Sequence, residues 1–178
     1  YDKEAPYKLS RTARQFMAGI LGHIRAITAL TNPLVNSYKR LVPGFEAPVY
    51  ATWSAETVFA LLRVPAVMGS HAKLELRSPD PTANPYLVFA ACLAAGLEGI
   101  EKELELCPSV DANVSAWTDE QRKTLDIERL PKNMCEAVDA LEADGFITGI
   151  MGDALAKQYI EAKRKEWDIY RRQVTEWE

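Results

Sequence analysis

Lys73-Leu74-Glu75-Leu76-Arg77-Ser78-Pro79-Asp80-Pro81 decides how the chain is to be read. Its first five residues alternate, so Leu74 and Leu76 share one face of an extended strand and Lys73, Glu75 and Arg77 share the other. With the leucines on the core, a plus, minus, plus row of charge faces outward. Ser78-Pro79-Asp80-Pro81 is a stiff, extended connection that ends the sheet. Pro85 then suits the first position of a helix. The Ala- and Leu-rich run from Tyr86 to about Leu106 is apolar nearly all round, which predicts a buried helix.

Working upstream, Val49 to Trp53 and Ala60 to Val64 are short, β-favouring and bounded by turn material, so two further strands are expected. The second contains Leu61-Leu62-Arg63-Val64-Pro65. A guanidinium among aliphatic neighbours needs an anionic partner, because burying an unpaired charge is costly. Arg63, Arg77 and Glu75 on neighbouring strands make a reasonable pocket for an anion together with a divalent cation. Nearer the start, Ser10 is a plausible helix cap, and Ala13, Phe16, Met17, Ile20, Leu21 and Ile24 recur at helical steps. Ile27 to Leu41 reads as a second helical region, broken at Asn32-Pro33 and stopped before Pro43-Gly44. Downstream, Pro108 to Arg129 is polar, with a short helix at Thr118 to Thr124. Helices from about Asn133 to Ala143 and from Gly152 to near Val174 follow. In the last, Lys163, Arg164 and Lys165 are expected to stay solvated.

Composition narrows the classes. The 178 residues are 48 % apolar and 26 % charged, the balance of an ordinary globular domain. Apolar stretches are too short to span a bilayer, and no secretory leader opens the chain, so a cytoplasmic protein without membrane contact is expected. Cys92, Cys107 and Cys135 lack metal-ligand spacing and read as reduced thiols. His23 and His71 match no ligand motif and read as structural residues. Residues 1–90 carry ten Lys/Arg against six Asp/Glu, whereas residues 91–178 carry eleven against nineteen. The basic first half hints at an anionic ligand there. Nucleic acid is not expected, because no Lys/Arg patch is interleaved with aromatics and the net charge is −4.

Asn32-Pro33-Leu34-Val35-Asn36-Ser37-Tyr38-Lys39-Arg40-Leu41-Val42-Pro43-Gly44-Phe45-Glu46-Ala47-Pro48 is harder to explain by packing. Its asparagines, prolines and glycine around Arg40 and Glu46 fit a shaped loop that presents side chains. This loop resembles one found in bacterial-type glutamine synthetases. Glu75-Leu76-Arg77-Ser78-Pro79-Asp80 with Asn84-Pro85-Tyr86-Leu87 is similar to a second signature of that family. Leu62-Arg63-Val64-Pro65 resembles a third, and the tail from Glu161 to Asp168 is also similar.

The resemblance implies the C-terminal portion of the glutamine synthetase catalytic domain: an α+β fold, predominantly helical, with a small antiparallel sheet. Residues 1–84 would form the substrate-loop and strand region, and residues 85–178 the helical region. It implies an ATP-dependent ligase that joins glutamate to ammonia through a γ-glutamyl phosphate, using Mg²⁺ or Mn²⁺. Arg40 and Arg77 would hold substrate carboxylates, and Arg63 would neutralise the transferring phosphoryl group. Lys73 would lie near nucleotide phosphates, Glu75 would ligate the metal, and Glu46 would help deprotonate bound ammonium. The parent would be a ring-forming homo-oligomer. The chain alone, as a C-terminal piece, is expected to be inactive and to self-associate. Two departures stand out. Thr57-Val58-Phe59 replaces an Asn-Arg-Ser triplet whose arginine contacts nucleotide phosphate, and Lys73 replaces an arginine. They suit a related ligase that glutamylates an organic amine such as a polyamine, or a non-catalytic subunit used for binding or assembly.

Overall fold

A computed structural model of the chain describes residues 1–44, 47–66 and 72–174. Its first long element is α1, Arg11–Thr31. Ser10 opens it as expected, its Oγ accepting from the Ala13 N–H at 3.1 Å. Met17, Ile24, Ile27 and Leu30 are fully buried along one face. The helix does not pause near Ile27 but continues to Thr31. Thr28 and Thr31 donate their hydroxyls back to the carbonyls of Ile24 and Ile27, so these polar groups are buried without penalty. Asn32-Pro33 ends the helix, and only a 3-10 turn, Val35–Lys39, stands in place of the expected second helical region.

Three two-residue strands come next: β1 Trp53–Ser54, β2 Leu62–Arg63 and β3 Glu75–Leu76. The expected antiparallel sheet is mixed. β2 and β3 are antiparallel, with Leu62 opposite Leu76 and Arg63 opposite Glu75, but β1 and β2 run parallel. The connection after β1 turns on the Ser54 hydroxyl, which accepts from the N–H groups of Glu56 and Thr57, and the chain returns before β2 begins. The front of the expected first strand pairs elsewhere. Ala51 N–H donates to Glu128 and Leu130 N–H to Val49, which stitches this segment to the helical half.

The second long helix is α2, Pro85–Glu101, capped by Asn84. It stops short of Leu106, turning at Glu103, where φ is +52°. It approaches the α1 backbone closely where glycines face the other helix. A Cβ on Gly19 would lie 1.9 Å from the Ala95 carbonyl oxygen, and one on Gly99 would lie 2.2 Å from that of Gln15. The helix is not buried all round. Ala91, Ala95, Glu98 and Gly99 face inward, whereas Tyr86, Phe89, Leu93 and Leu97 form an exposed stripe at three- and four-residue steps. Near-continuous apolarity tells how much of a helix is apolar, not how much is covered.

The remaining helices are α3 (Asp119–Thr124), α4 (Met134–Ala143), α5 (Gly145–Met151) and α6 (Asp153–Tyr170). Both α3 and α4 fall where short helices are expected, and Thr118 and Asn133 cap them. The short α5 has no counterpart among the expected helices; Asp144 opens it by accepting from the N–H groups of Phe146 and Ile147. Gly152, at φ +79°, separates it from α6. Of the three expected solvated cations, Arg164 and Lys165 are exposed. Lys163 instead reaches Glu166 and lies 5.8 Å from the Tyr159 ring centroid. Arg164 ties α6 to Asp139 and Glu142 of α4.

Gly19→Ala is expected to cost about 1–3 kcal/mol, because the clash is with a helix backbone that cannot rotate away. Gly22 lies on the same helix, but a Cβ added there would meet no atom within 4 Å. The same change at Gly22 should gain about 0.5–1 kcal/mol. Urea unfolding of the two variants beside the parent chain tests this. Equal effects would contradict the close α1–α2 approach.

Candidate active site

The sheet register brings three of the expected residues together. Arg63 and Glu75 are directly opposite across β2 and β3, and Arg63 Nη1 lies 3.3 Å from Glu75 Oε2. Arg77 follows two residues after Glu75 on the same strand face, and its Nε lies 3.4 Å from Glu75 Oε1. One carboxylate therefore sits between two guanidiniums, one oxygen toward each. The side chains of Arg63 and Glu75 are 36 % and 41 % exposed, so the cluster opens to solvent on one side. Leu74 and Leu76, on the opposite strand face, pack against the core as the alternation requires.

Arg40 joins this region through the backbone. It lies at the end of the 3-10 turn, and its Nη2 donates to the carbonyls of Ser78 at 2.5 Å and Pro79 at 3.1 Å, and to Asn32 Oδ1 at 3.5 Å. Its fork thus clasps the segment that begins one residue after Arg77. Two buried polar atoms here, Arg40 Nε and Ser78 Oγ, have no hydrogen-bond partner among the described residues. Buried polar groups without a partner are uncommon in folded proteins, and both lie beside the Arg40 contacts. Asp80 N–H donates to the Thr31 carbonyl at the end of α1, closing the frame. Burial alone would raise the Asp80 pKa. The Thr82 N–H and hydroxyl, the Ser37 hydroxyl and the nearby Arg40 charge together hold it below the usual carboxylate range.

The other expected residues fare differently. Lys73 is exposed and borders a cavity of about 420 Å³ lined also by Lys3, Lys8, Val64 and Pro65. Glu46 and His71 lie outside the described residues. Val58 and Phe59 are roughly half exposed. Phe59 also lines a cleft of about 150 Å³ with Gly44, Ala47, Tyr50 and Asn113. Among the described residues no three His, Cys, Asp or Glu side chains converge as a metal-binding group. Glu75 alone offers too few oxygens for a divalent cation, which takes six or more ligands.

Sequence reasoning missed the supports of Arg40: Asn32, Ser37, Ser78 and Asp80. All four lie inside the quoted stretches, but hydrogen bonds to backbone carbonyls leave no pattern in side-chain spacing. Arg122 was also missed. It donates to the carbonyls of Val114 and Trp117 and stacks 4.9 Å from the Tyr50 ring centroid.

The family model for the glutamine synthetase catalytic domain matches residues 1–178. The chain belongs to the glutamine synthetase family. It is 48 % identical to a glutamine synthetase of Methanocaldococcus jannaschii across its whole length, which is 39 % of that protein. It is 49 % identical to one of Clostridium saccharobutylicum over 96 % of the chain and 38 % of the relative. A Thermotoga maritima glutamine synthetase is 47 % identical, with 40 % of its length covered. The chain thus spans about two-fifths of the length of these relatives. Among solved structures, GmaS in its ADP complex superposes with a TM-score of 0.85 at 39 % identity, over 99 % of this chain and 40 % of GmaS. Ligand-free GmaS superposes with a TM-score of 0.80. Among the described residues no helix is long and apolar enough to cross a membrane.

The Asp80 network carries a pH signature. A carboxyl whose folded pKa is lowered stabilises the fold above its unfolded pKa, and that stability is lost as pH falls through the folded value. Asp80→Asn should therefore lower stability at neutral pH by about 0.5–1.5 kcal/mol and flatten the acid side of the stability profile. Thermal melts between neutrality and the acid limit test this, and an unchanged acid slope would contradict it.

Proposed function

We propose that this chain supplies the C-terminal, substrate-gripping part of an ATP-dependent ligase that joins glutamate to ammonia through a γ-glutamyl phosphate. The observation that carries the reading is the arrangement of Arg63, Glu75 and Arg77 on adjoining strands, with Arg40 clasped to the segment that follows. Such a ligase handles substrate carboxylates and a transferring phosphoryl group in one place, so it needs several fixed cations. Arginine suits this because its fork meets a carboxylate or phosphate with two parallel bonds, which lysine cannot do.

In this reading Arg40 and Arg77 hold the carboxylates of glutamate. Arg63 neutralises charge on the phosphoryl group, with Lys73 near the nucleotide phosphates. Glu46 takes a proton from the incoming ammonium. Glu75 contributes one oxygen ligand to Mg²⁺ or Mn²⁺, whose part is to screen phosphate charge, and the other ligands come from a longer parent protein. The parent is a ring-forming, cytoplasmic homo-oligomer. Residues 1–84 form its substrate-loop and strand region here, and residues 85–178 its helical region.

A second reading is favoured by Val58 and Phe59. Their half-exposed apolar side chains stand where the resemblance implies a phosphate-binding arginine, and Phe59 lines the cleft it shares with Tyr50 and Asn113. An organic amine has alkyl groups that such a surface accommodates, so the acceptor in this reading is an alkylamine or polyamine in place of ammonia.

Phosphate release by the full-length parent, supplied with ATP, glutamate and either ammonium, methylamine or putrescine, discriminates the acceptors. Ammonium is expected to give the highest kcat/KM, and preference for an alkylamine would establish the second reading. Arg63→Ala should lower kcat by about 10²–10³-fold, while Arg77→Lys should act chiefly on the KM for glutamate. The 178-residue chain alone is expected to release no phosphate, and robust turnover by it would contradict the proposal.

A further inference from the structure

His23 stands apart from the site just described, in the middle of α1, with a carboxylate at each ring nitrogen. Its Nε2 lies 2.5 Å from Glu98 Oε2 on α2, and its Nδ1 lies 2.6 Å from Asp144 Oδ2 at the start of α5. The Phe146 ring stacks on the imidazole with centroids 4.9 Å apart. The side chains of His23, Glu98 and Asp144 are 18 %, 10 % and 17 % exposed, so water screens them only in part. We propose that His23 is a proton-binding site whose imidazolium staples α2 and α5 to α1, so that protonation sets how firmly this helical layer is packed.

The chemistry follows from counting donors. An ionised carboxylate only accepts, and a neutral imidazole has a single N–H. With an acid at each nitrogen, both contacts are hydrogen bonds only when the ring carries two protons. Each acid also accepts from other partners, and those of Glu98 hold its pKa below the usual carboxylate range. Lys102 donates to Glu98 Oε1 at 2.6 Å. Asp144 Oδ1 accepts the N–H groups of Phe146 and Ile147 at the start of α5, where a negative charge is also favoured by the helix. The proton therefore belongs on the ring. Other charged groups near the site are Arg25, on α1 itself, and Glu128, from the segment before α4. They line a cleft of about 460 Å³ with Gly22, His23, Ala140 and Asp144, through which the proton can exchange with solvent.

Burial alone would lower the His23 pKa, but the hydrogen bonds and charges of Asp144 and Glu98 outweigh it and the value is raised. For a group raised on folding, the stabilisation is complete below the unfolded pKa and is lost as pH rises through the folded one. Removing the proton leaves one carboxylate facing a lone pair. The staple then holds α2 or α5, not both. Packing here is thus firm below the ordinary histidine pKa and looser as pH rises through the raised, folded value, the reverse of the Asp80 network.

The chain has two histidines, so His71→Gln leaves His23 as the sole imidazole signal in NMR. In the folded 178-residue chain, the ring nitrogens are expected to show two protonated resonances at a pH where the urea-unfolded chain already shows a neutral ring. The unfolding midpoint should fall across the same interval in which His23 titrates. Glu98→Gln or Asp144→Asn should move the titration to lower pH, and His23→Gln should remove this alkaline slope. Titration of His23 at or below the value in the unfolded chain would overturn the proposal. So would a slope unchanged in His23→Gln. If the variants do not fold, the titration of the His71→Gln chain decides alone.

Discussion

Two helix backbones meet at Gly19 and Gly99, and the rest of the molecule is arranged around that contact. Any side chain at either position would run into backbone atoms of the other helix. The contact fixes more than packing. The end of α1 leads into Asn32 and the turn that carries Arg40, and the start of α2 receives the chain from Ser78 and Asp80. Holding the helices at one separation holds these two segments against each other. The hydrogen bond from Asp80 to Thr31 and the Arg40 fork on Ser78 and Pro79 then close the gap. His23 and Glu98 join the same pair of helices away from the site.

The charges on the sheet serve a different end. Ion pairs as exposed as Arg63–Glu75 contribute about 0–1 kcal/mol to stability, too little to explain placing two arginines around one acid on strands only two residues long. In the proposed function their value lies in concentrating positive charge at a partly open surface, where phosphate and carboxylate ligands of a ligase would be held. Arg40 is built more firmly, with its fork on backbone carbonyls. It positions the loop and at the same time leaves Nε uncommitted.

Much of this is legible in the residues themselves. Alternation at Lys73–Arg77 puts Glu75 and Arg77 on one strand face. The partner expected for Arg63 is found in Glu75, although the Arg63 side chain is 36 % exposed and not buried among its aliphatic neighbours. The cap at Ser10 is readable because a side chain accepting from the helix start has a local signature. Strand direction is not readable, since periodicity is the same in parallel and antiparallel pairs. The exposed stripe of α2 is hidden because an apolar helix shows no polar face to mark its solvent side. His23 looks structural in the sequence because its acids lie 75 and 121 residues away, beyond any spacing rule. Asp80 and Asn32 belong to the stretches that carry the family resemblance, yet their work is with backbone groups and buried partners that sequence does not display.

A crystal structure of the full-length protein with bound glutamate and a non-hydrolysable ATP analogue tests the account most directly. It should place the Arg40 and Arg77 guanidiniums within hydrogen-bond distance of the glutamate carboxylates, with Arg63 turned toward the terminal phosphate. Glutamate bound elsewhere, with Arg63 and Arg77 still paired only to Glu75, would contradict it.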